Sequence, residues 1–143
     1  MNKYLLDTNV ISELRKPKPH GAVVDWIEGL DGRQIFLSAV TLGELQAGIE
    51  RTRKQNPPKA EEIEAWVDRL AGSFQVLPMD GACFREWARR MHGQADDLLE
   101  DGMIAATAHI HDMTVATRNT RDFRRLGVRV FDPFRQPLDA PLD

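Results

Sequence analysis

The chain has little cysteine and no long apolar stretch. Its one cysteine among 143 residues, Cys83, excludes an intrachain disulfide framework and is typical of a reducing compartment. No apolar run approaches the roughly 20 residues that a membrane-spanning helix needs, and Asp7 follows only two leucines, so we expect no signal peptide. Because Cys83 stands beside Phe84 and Trp87 in a helical pattern, we expect it to pack in the core. We therefore expect a cytoplasmic protein without a membrane anchor.

An excess of positive charge is also missing. The formal net charge of −3 and the pI of 5.8 exclude a broadly basic nucleic-acid binder. The sequence has no glycine-rich phosphate loop and no Gly-x-Ser-x-Gly motif. Its cations are nevertheless clustered beside acids: Arg15, Lys16 and Lys18 after Asp7, Arg51, Arg53 and Lys54 after Glu44, and Arg118, Arg121, Arg124 and Arg125 around Asp122. Each cluster alone is explained by a solvated helix end, whereas together they indicate a phosphate-tolerant rim around an acidic site.

Short apolar stretches alternate with helical patterns along the chain. With 42% hydrophobic and 29% charged residues, the composition is that of a folded globular protein. Strands are predicted at 3–6, 35–37, 74–77, 113–117 and 128–131, and helices at about 9–15, 23–30, 41–55, 63–72, 84–92 and 99–111. This alternation predicts a three-layer α/β fold, a parallel sheet flanked by helices. We expect one domain over residues 1–134, a short proline-containing C-terminal tail over 135–143, and a helical hairpin apart from the sheet within 41–72.

Four acidic residues stand where a predicted strand gives way to a helix or loop. They are Asp7, Glu44, Asp101 and Asp122. Ligands of open α/β sheets bind outside the carboxyl ends of the strands, so we expect these side chains to converge in one crevice. Converging carboxylates repel one another and stay ionised together around a hard cation with oxygen ligands. The pattern therefore predicts a magnesium-dependent site for phosphate chemistry.

Asp7 and Glu44 each have a structural explanation as well. Asp7 lies between a strand and a helix, where an acid is a common N-cap. Thr41-Leu42-Gly43-Glu44 matches the capping box, in which the glutamate side chain bonds back to the cap residue.

Asp101 and Asp122 also fit structural roles when each is taken alone. Asp101 is the last of four acids at a helix start, after Asp96, Asp97 and Glu100. Acids are favoured there because the N-terminus of a helix is the positive end of its dipole. The small residues that follow Asp101 permit close approach of another element. Asp122 follows Asn119 by three residues, which is consistent with a short Asn-capped helix. The order of the four acids along the chain carries more information than any one of them.

At these residues the chain resembles the PIN-domain ribonucleases, specifically the VapC-type toxins of bacterial toxin–antitoxin pairs. The matching segments are 6–9, 41–45, 101–108, 116–123 and 130–134, so the resemblance covers residues 4 to 134. It implies a PIN-like fold and hydrolysis of RNA phosphodiesters by metal-activated water, with Mg²⁺ or Mn²⁺ as cofactor. It also implies an RNA substrate, a cognate antitoxin and a homodimer. The helices carrying Trp26 and Trp66 are candidate surfaces for the dimer, although burial of both residues in the monomer core is favoured over this role.

The resemblance also implies roles for individual residues. Asp7 and Asp101 are the firmest metal ligands, Glu44 ligates the metal or lies beside its ligands, and Asp122 completes the catalytic set. Supporting polar roles, orienting water or carboxylates, fall to Thr8, Thr117 and Asn119. Arg118 and Arg121 are candidates for an RNA-binding rim.

Two alternatives remain open from the sequence. Aspartyl-phosphate chemistry usually needs a second Asp two residues after the nucleophile, and that position is Asn9 here. A degenerate nuclease fold that only binds RNA or a protein partner is the other alternative. Metal-dependent turnover discriminates between this second alternative and a nuclease.

Overall fold

A computed structural model describes residues 1–135 of the chain, and within them five strands form one parallel sheet. The strand order is β3-β2-β1-β4-β5. The strands are β1 (Tyr4–Leu6), β2 (Ile35–Ser38), β3 (Gln75–Leu77), β4 (Thr114–Ala116) and β5 (Val130–Phe131). Tyr4 stands opposite Ile35 on one side and Thr114 on the other. The central strand β1 is therefore paired along both edges.

Seven α-helices connect the strands within residues 1–135. They are α1 (Thr8–Leu14), α2 (Gly21–Glu28), α3 (Ala39–Gln55), α4 (Pro57–Ser73), α5 (Gly81–Met91), α6 (Leu99–Ile110) and α7 (Thr120–Arg125), with short 3₁₀ turns at Gly32–Gln34 and Asp96–Leu98. Each parallel strand pair needs a crossover, and these helices supply it.

Both faces of the sheet are buried, which explains the continuous apolar composition of its strands. Successive residues of a strand point to opposite faces. One face packs against α6 and α7, and its cluster includes Leu5, Phe36, Val115, Ile104 and Phe123. The other face packs against α1, α2 and α4, and its cluster includes Leu6, Leu37, Ala116, Val10, Val23 and Leu70. The predicted three-layer α/β fold is confirmed.

Helices α3 and α4 form the predicted hairpin, although it is not separate from the sheet. Asn56 ends α3, and its side chain accepts the N–H of Lys59 to begin α4. Ile49, Ala60 and Val67 make a small core between the two helices. Leu70 nevertheless packs into the core of the sheet. The expectation of a hairpin apart from the sheet was therefore only partly correct.

The starts of α1 and α3 differ from the sequence prediction in the residue that caps the helix. Helix α1 begins at Thr8 with Asp7 as its N-cap, not at Asn9. Helix α3 begins at Ala39, and the cap is Ser38, whose hydroxyl accepts the N–H of Val40 at 3.0 Å. The capping box ending at Glu44 was wrong, because a serine three residues earlier already caps the helix.

Trp26 and Trp66, whose helices were candidate dimer surfaces, are half-buried against the sheet core, which is the alternative that the sequence favoured. Cys83 is buried, as predicted, and its burial raises the pKa of the thiol.

Among the described residues no helix is both long and apolar enough to cross a membrane. Apart from Arg135, the predicted tail over 135–143 lies outside the described residues.

Candidate active site

The candidate site lies at the carboxyl end of the sheet, between β1 and β4. The chain order of the strands reverses at this pair, since β2 and β3 extend to one side of β1 while β4 and β5 extend to the other. Such a switch point opens a crevice beyond the strand ends. Asp7 directly follows β1, and Thr117 directly follows β4.

Asp7 is nearly buried, at 5% exposure, and both of its carboxylate oxygens have partners. Oδ1 accepts the N–H of Thr8 at 2.8 Å as the N-cap of α1. Oδ2 accepts the Thr117 hydroxyl at 2.8 Å and the Asn9 side-chain amide at 3.2 Å. Burial raises the pKa of Asp7, and the bonds from Thr117 and Thr8 oppose part of that rise. Asp7 is therefore both a helix cap and a part of the crevice.

Glu44 is attached to the site through hydroxyl groups. The Thr8 hydroxyl lies 2.7 Å from Glu44 Oε1 and 3.2 Å from the hydroxyl of Thr41, a fully buried residue of α3. Burial raises the pKa of Glu44, the bond from Thr8 lowers it, and the negative charges of Glu100 and Asp7 raise it further. The predicted supporting residue Thr8 thus connects the start of α1 to the acid on α3.

Asn119 joins the other two acids. Its side-chain Nδ2 donates to Asp122 Oδ2 at 3.0 Å and to Asp101 Oδ2 at 3.3 Å. Asn119 stands at the N-cap position of α7, but its side chain makes no capping bond there. The predicted short helix is present, but its predicted cap by the Asn119 side chain was wrong, because the amide points to the two carboxylates instead. Its backbone N–H donates to the Thr117 hydroxyl at 2.8 Å, which links it to Asp7.

The electrostatics of Asp101 show that the acids are close enough to repel one another. Burial is the main cause that raises the pKa of Asp101 to about 7. The other causes are four negative charges, those of Asp7, Glu44, Asp122 and Glu100 in decreasing order. The structure therefore brings all four predicted acids into one electrostatic group.

Sequence reasoning missed three residues of this group. Glu100 is a fifth acid, and in sequence it is indistinguishable from an ordinary acid in the first turn of a helix. Asn9 donates to both Asp7 and Thr117, and its position two residues after Asp7 was the available signal. Thr41 contacts Thr8, but its match to a capping box concealed this contact.

The comparison with family models decides the family. The model of the PIN domain matches residues 4–128, most of the chain. The chain belongs to the PIN-domain family.

Known proteins and structures similar to this PIN domain include toxins. It is 38% identical to "Toxin FitB" of Neisseria gonorrhoeae over 91% of this chain and 97% of that protein. It is 40% identical to "VapC ribonuclease Y4jK" of Sinorhizobium fredii over 91% and 96% of the two chains. The crystal structure of FitAcB from Neisseria gonorrhoeae superposes with a TM-score of 0.82 at 35% identity, covering 93% of this chain and 99% of that one.

The donor set of this PIN domain fits a hard divalent cation by its chemistry. The groups that meet in the crevice are carboxylates, hydroxyls and amides, and oxygen donors are those that Mg²⁺ and Mn²⁺ prefer. Burial is the main cause of the raised pKa of Asp101, and the second is the negative charge of its neighbours, which a cation would neutralise. Within residues 1–135, however, no three acidic, histidine or cysteine side chains are arranged to hold a metal ion in this conformation.

The two predicted rim arginines of the PIN domain are both exposed, but they differ in their contacts. The guanidinium of Arg118 lies on the ring of Phe134, with 3.6 Å between Cζ and the ring centroid. Arg121 lies on α7, one residue before Asp122.

Proposed function

We propose that this chain is the toxin of a toxin–antitoxin pair and acts as a Mg²⁺-dependent endoribonuclease, with Mn²⁺ as an alternative ion. The observation that carries the proposal is the convergence of four acids at the switch point. Burial first, and then the negative charges of its neighbours, raise the pKa of Asp101 there to about 7. Similarity to proteins named as a toxin and as a ribonuclease supports the same function. A cytoplasmic location, expected from the single cysteine, belongs to this proposal.

We infer the following roles for the side chains. Asp7 and Asp101 hold the cation, and Glu44 and Asp122 complete the site from the opposite walls of the crevice. Once bound, the cation lowers the pKa of a water molecule and neutralises charge on the transition state of phosphodiester hydrolysis.

The neutral polar groups keep the carboxylates in place. Thr117 orients Asp7, Thr8 orients Glu44, and the amide of Asn119 keeps Asp101 near Asp122. Because each donor is itself anchored to a strand end or helix start, the acids are positioned before substrate arrives.

A cognate antitoxin is the expected protein partner. The concentration of negative charge at the crevice makes it a suitable surface for a cationic side chain of such a protein. We infer that the antitoxin inhibits the chain by covering this crevice.

Cleavage of RNA by the purified chain tests the proposal. With Mg²⁺, the wild type is expected to cleave bacterial total RNA, and EDTA is expected to abolish the cleavage. Asp7→Asn and Asp101→Asn are each expected to lose at least ~100-fold in rate, since removal of a ligand removes several kcal/mol of transition-state stabilisation.

Asp97→Asn is the matched control, because this exposed acid lies in the 3₁₀ turn before α6 and faces no partner at the site. It is expected to cleave RNA at the wild-type rate. RNA binding without metal-dependent cleavage would instead support the degenerate binding module. Full activity of Asp101→Asn would remove the acid group from the mechanism.

A further inference from the structure

Arg118 is anchored at the edge of the acidic crevice through its backbone. It directly follows Thr117, whose hydroxyl donates to Asp7. The N–H of Arg118 donates to Asn9 Oδ1 at 3.2 Å, and the Nδ2 of Asn9 donates to Asp7. The position of Arg118 is therefore set by the same two residues that hold the Asp7 carboxylate.

The side chain of Arg118 rests on a fixed aromatic surface. Its Cζ lies 3.6 Å from the centroid of the Phe134 ring, which is a cation–π contact. Phe134 is only 9% exposed, packs in the same core cluster as Val10 and Ile11, and meets the His20 ring edge-on at 5.6 Å. The stack limits the rotation of an otherwise exposed guanidinium.

The hydrogen-bond donors of Arg118 are not taken by a carboxylate. None of the ion pairs within residues 1–135 includes it. Glu13 is close enough for Arg118 to contribute to the lowering of its pKa. The two carboxylate oxygens of Glu13, however, already accept hydrogen bonds from Lys16 Nζ and from the backbone N–H of His20, both at 2.9 Å. Arg118 thus offers a planar set of N–H donors to solvent beside the crevice.

We propose that Arg118, stacked on Phe134, binds a backbone phosphate of single-stranded RNA next to the bond that is cleaved. The inference rests on the proposed function in taking RNA as the ligand. The acids of the crevice repel RNA, so a fixed guanidinium at its edge offsets that repulsion and sets the register of the strand. Because Asp7 is nearly buried, the strand has to enter the crevice, which favours an unpaired strand over a duplex.

Binding of a fluorescein-labelled oligouridylate, measured by anisotropy at increasing KCl concentration in EDTA, tests the inference. All variants are made in full-length Asp101→Asn protein so that the probe is not cleaved. Arg118→Ala is expected to weaken binding at least about tenfold. Loss of one phosphate contact also makes the slope of log K against log salt shallower by about 0.7.

Two further variants separate charge from position. Arg118→Lys keeps the charge but not the planar stack, and Phe134→Leu removes the ring while leaving Arg118 intact. Both are expected to keep the wild-type salt slope and to bind about two- to fivefold more weakly, the size of an exposed cation–π contact. Arg85→Ala removes an exposed arginine of α5, a helix that carries none of the predicted site residues, as the control, and it is expected to stay within about twofold. Thermal melts check that all variants fold.

The outcomes discriminate this inference from the proposed function. If Arg118→Ala binds like Arg85→Ala, or if no protein binds oligouridylate at the lowest salt concentration, the phosphate site is overturned. RNA cleavage with Mg²⁺ is measured in a separate experiment. It uses the wild type and an Arg118→Ala variant that keeps Asp101. Equal cleavage by both proteins would overturn the phosphate site and leave the nuclease function intact. Absence of cleavage by wild type, with weaker binding by the Arg118→Ala variant, would overturn the function and support the site.

Discussion

Asp101 links the stability of the protein to pH. Its pKa rises from 3.8 to about 7 on folding without metal, so the folded state keeps a proton that the unfolded state releases. The stabilisation from this proton is fully present below pH 3.8 and is lost as the pH rises through about 7. In EDTA above pH 7, Asp101→Asn is therefore expected to melt at a higher temperature than wild type. The shift is about 2–4 °C for each kcal/mol that the burial and repulsion of the Asp101 charge cost the folded state.

Differential scanning calorimetry at several pH values measures this effect. The difference between the two proteins should shrink towards pH 4, where Asp101 is protonated in the folded state. Saturating Mg²⁺ should raise the melting temperature of wild type by mass action and that of the variant much less. An Asp101→Asn protein that melts lower than wild type in EDTA and responds equally to Mg²⁺ would show that the acids do not share a cation.

At the residue scale, the positions of the acids at the strand ends were predictable from the sequence, but the side chains that contact them were not. The four acids could be predicted to converge because strand ends of a parallel sheet share one edge. Asn119 was expected to cap a helix, since the local pattern around Asp122 does not reveal that Asp101 of α6 also lies beside the amide. Glu100 was assigned to the helix dipole for the same reason, because its neighbour Glu44 is distant in sequence.

The packing of α5 on α6 positions the first turn that carries Asp101. A Cβ at Gly102 would stand 2.5 Å from Met91 Sδ and 3.2 Å from Trp87 Cδ1. Met91 can move aside, but the indole is rigid and donates to the Leu99 carbonyl at 3.0 Å. Although an alanine normally stabilises a helix relative to glycine, overpacking costs about 1–3 kcal/mol. Gly102→Ala is therefore expected to lower the free energy of unfolding by up to about 2 kcal/mol, measured by urea denaturation.

Gly72 in α4 provides the matched control for this substitution. A Cβ added at Gly72 would meet nothing within 4 Å. Gly72→Ala is therefore expected to raise the free energy of unfolding by up to about 1 kcal/mol. Gly102→Ala should also reduce RNA cleavage, since it displaces the turn that carries Asp101, whereas Gly72→Ala should not. A stabilising effect of Gly102→Ala would contradict the close packing.

At the element scale, periodicity predicted the five strands and six of the seven α-helices within residues 1–135 in their correct order, but it placed several boundaries incorrectly. The short helix α7 was indicated by its capping pattern alone. Helix α4 begins at Pro57, six residues before the apolar pattern that predicted it, because prolines are tolerated in the first turn. The apolar pattern of α5 predicted a core-facing stripe, yet Phe84 is 45% exposed. Which apolar residues are buried depends on neighbours that the local pattern does not contain.

The exposed apolar residues bear on assembly of the whole molecule. Phe84 and Leu99, at 45% and 41% exposure, flank Trp87 on α5 and α6. Homodimerisation remains a prediction, and this patch is a better candidate surface than Trp26 or Trp66, which pack against the core. Sedimentation velocity at micromolar concentration is expected to show a dimer that Phe84→Glu converts to a monomer.

Ile110 supplies the control for this experiment, because it is 39% exposed at the other end of α6. Ile110→Glu is expected to remain a dimer. A wild-type monomer at micromolar concentration, or equal dissociation of both variants, would contradict the assignment of the surface.

The parallel topology has a consequence for synthesis of the protein. Asp7 and Thr117 are 110 positions apart in the chain, and β1 gains its partner β4 only when the second of them has been made. At about 5–20 residues per second, a ribosome needs roughly 5–20 s to cover that interval. Throughout this time the nascent chain lacks Asn119 and Asp122, so it has no complete site. We therefore expect a nuclease built in this order to stay inactive towards the ribosome and the message that produce it until nearly residue 122 has been made.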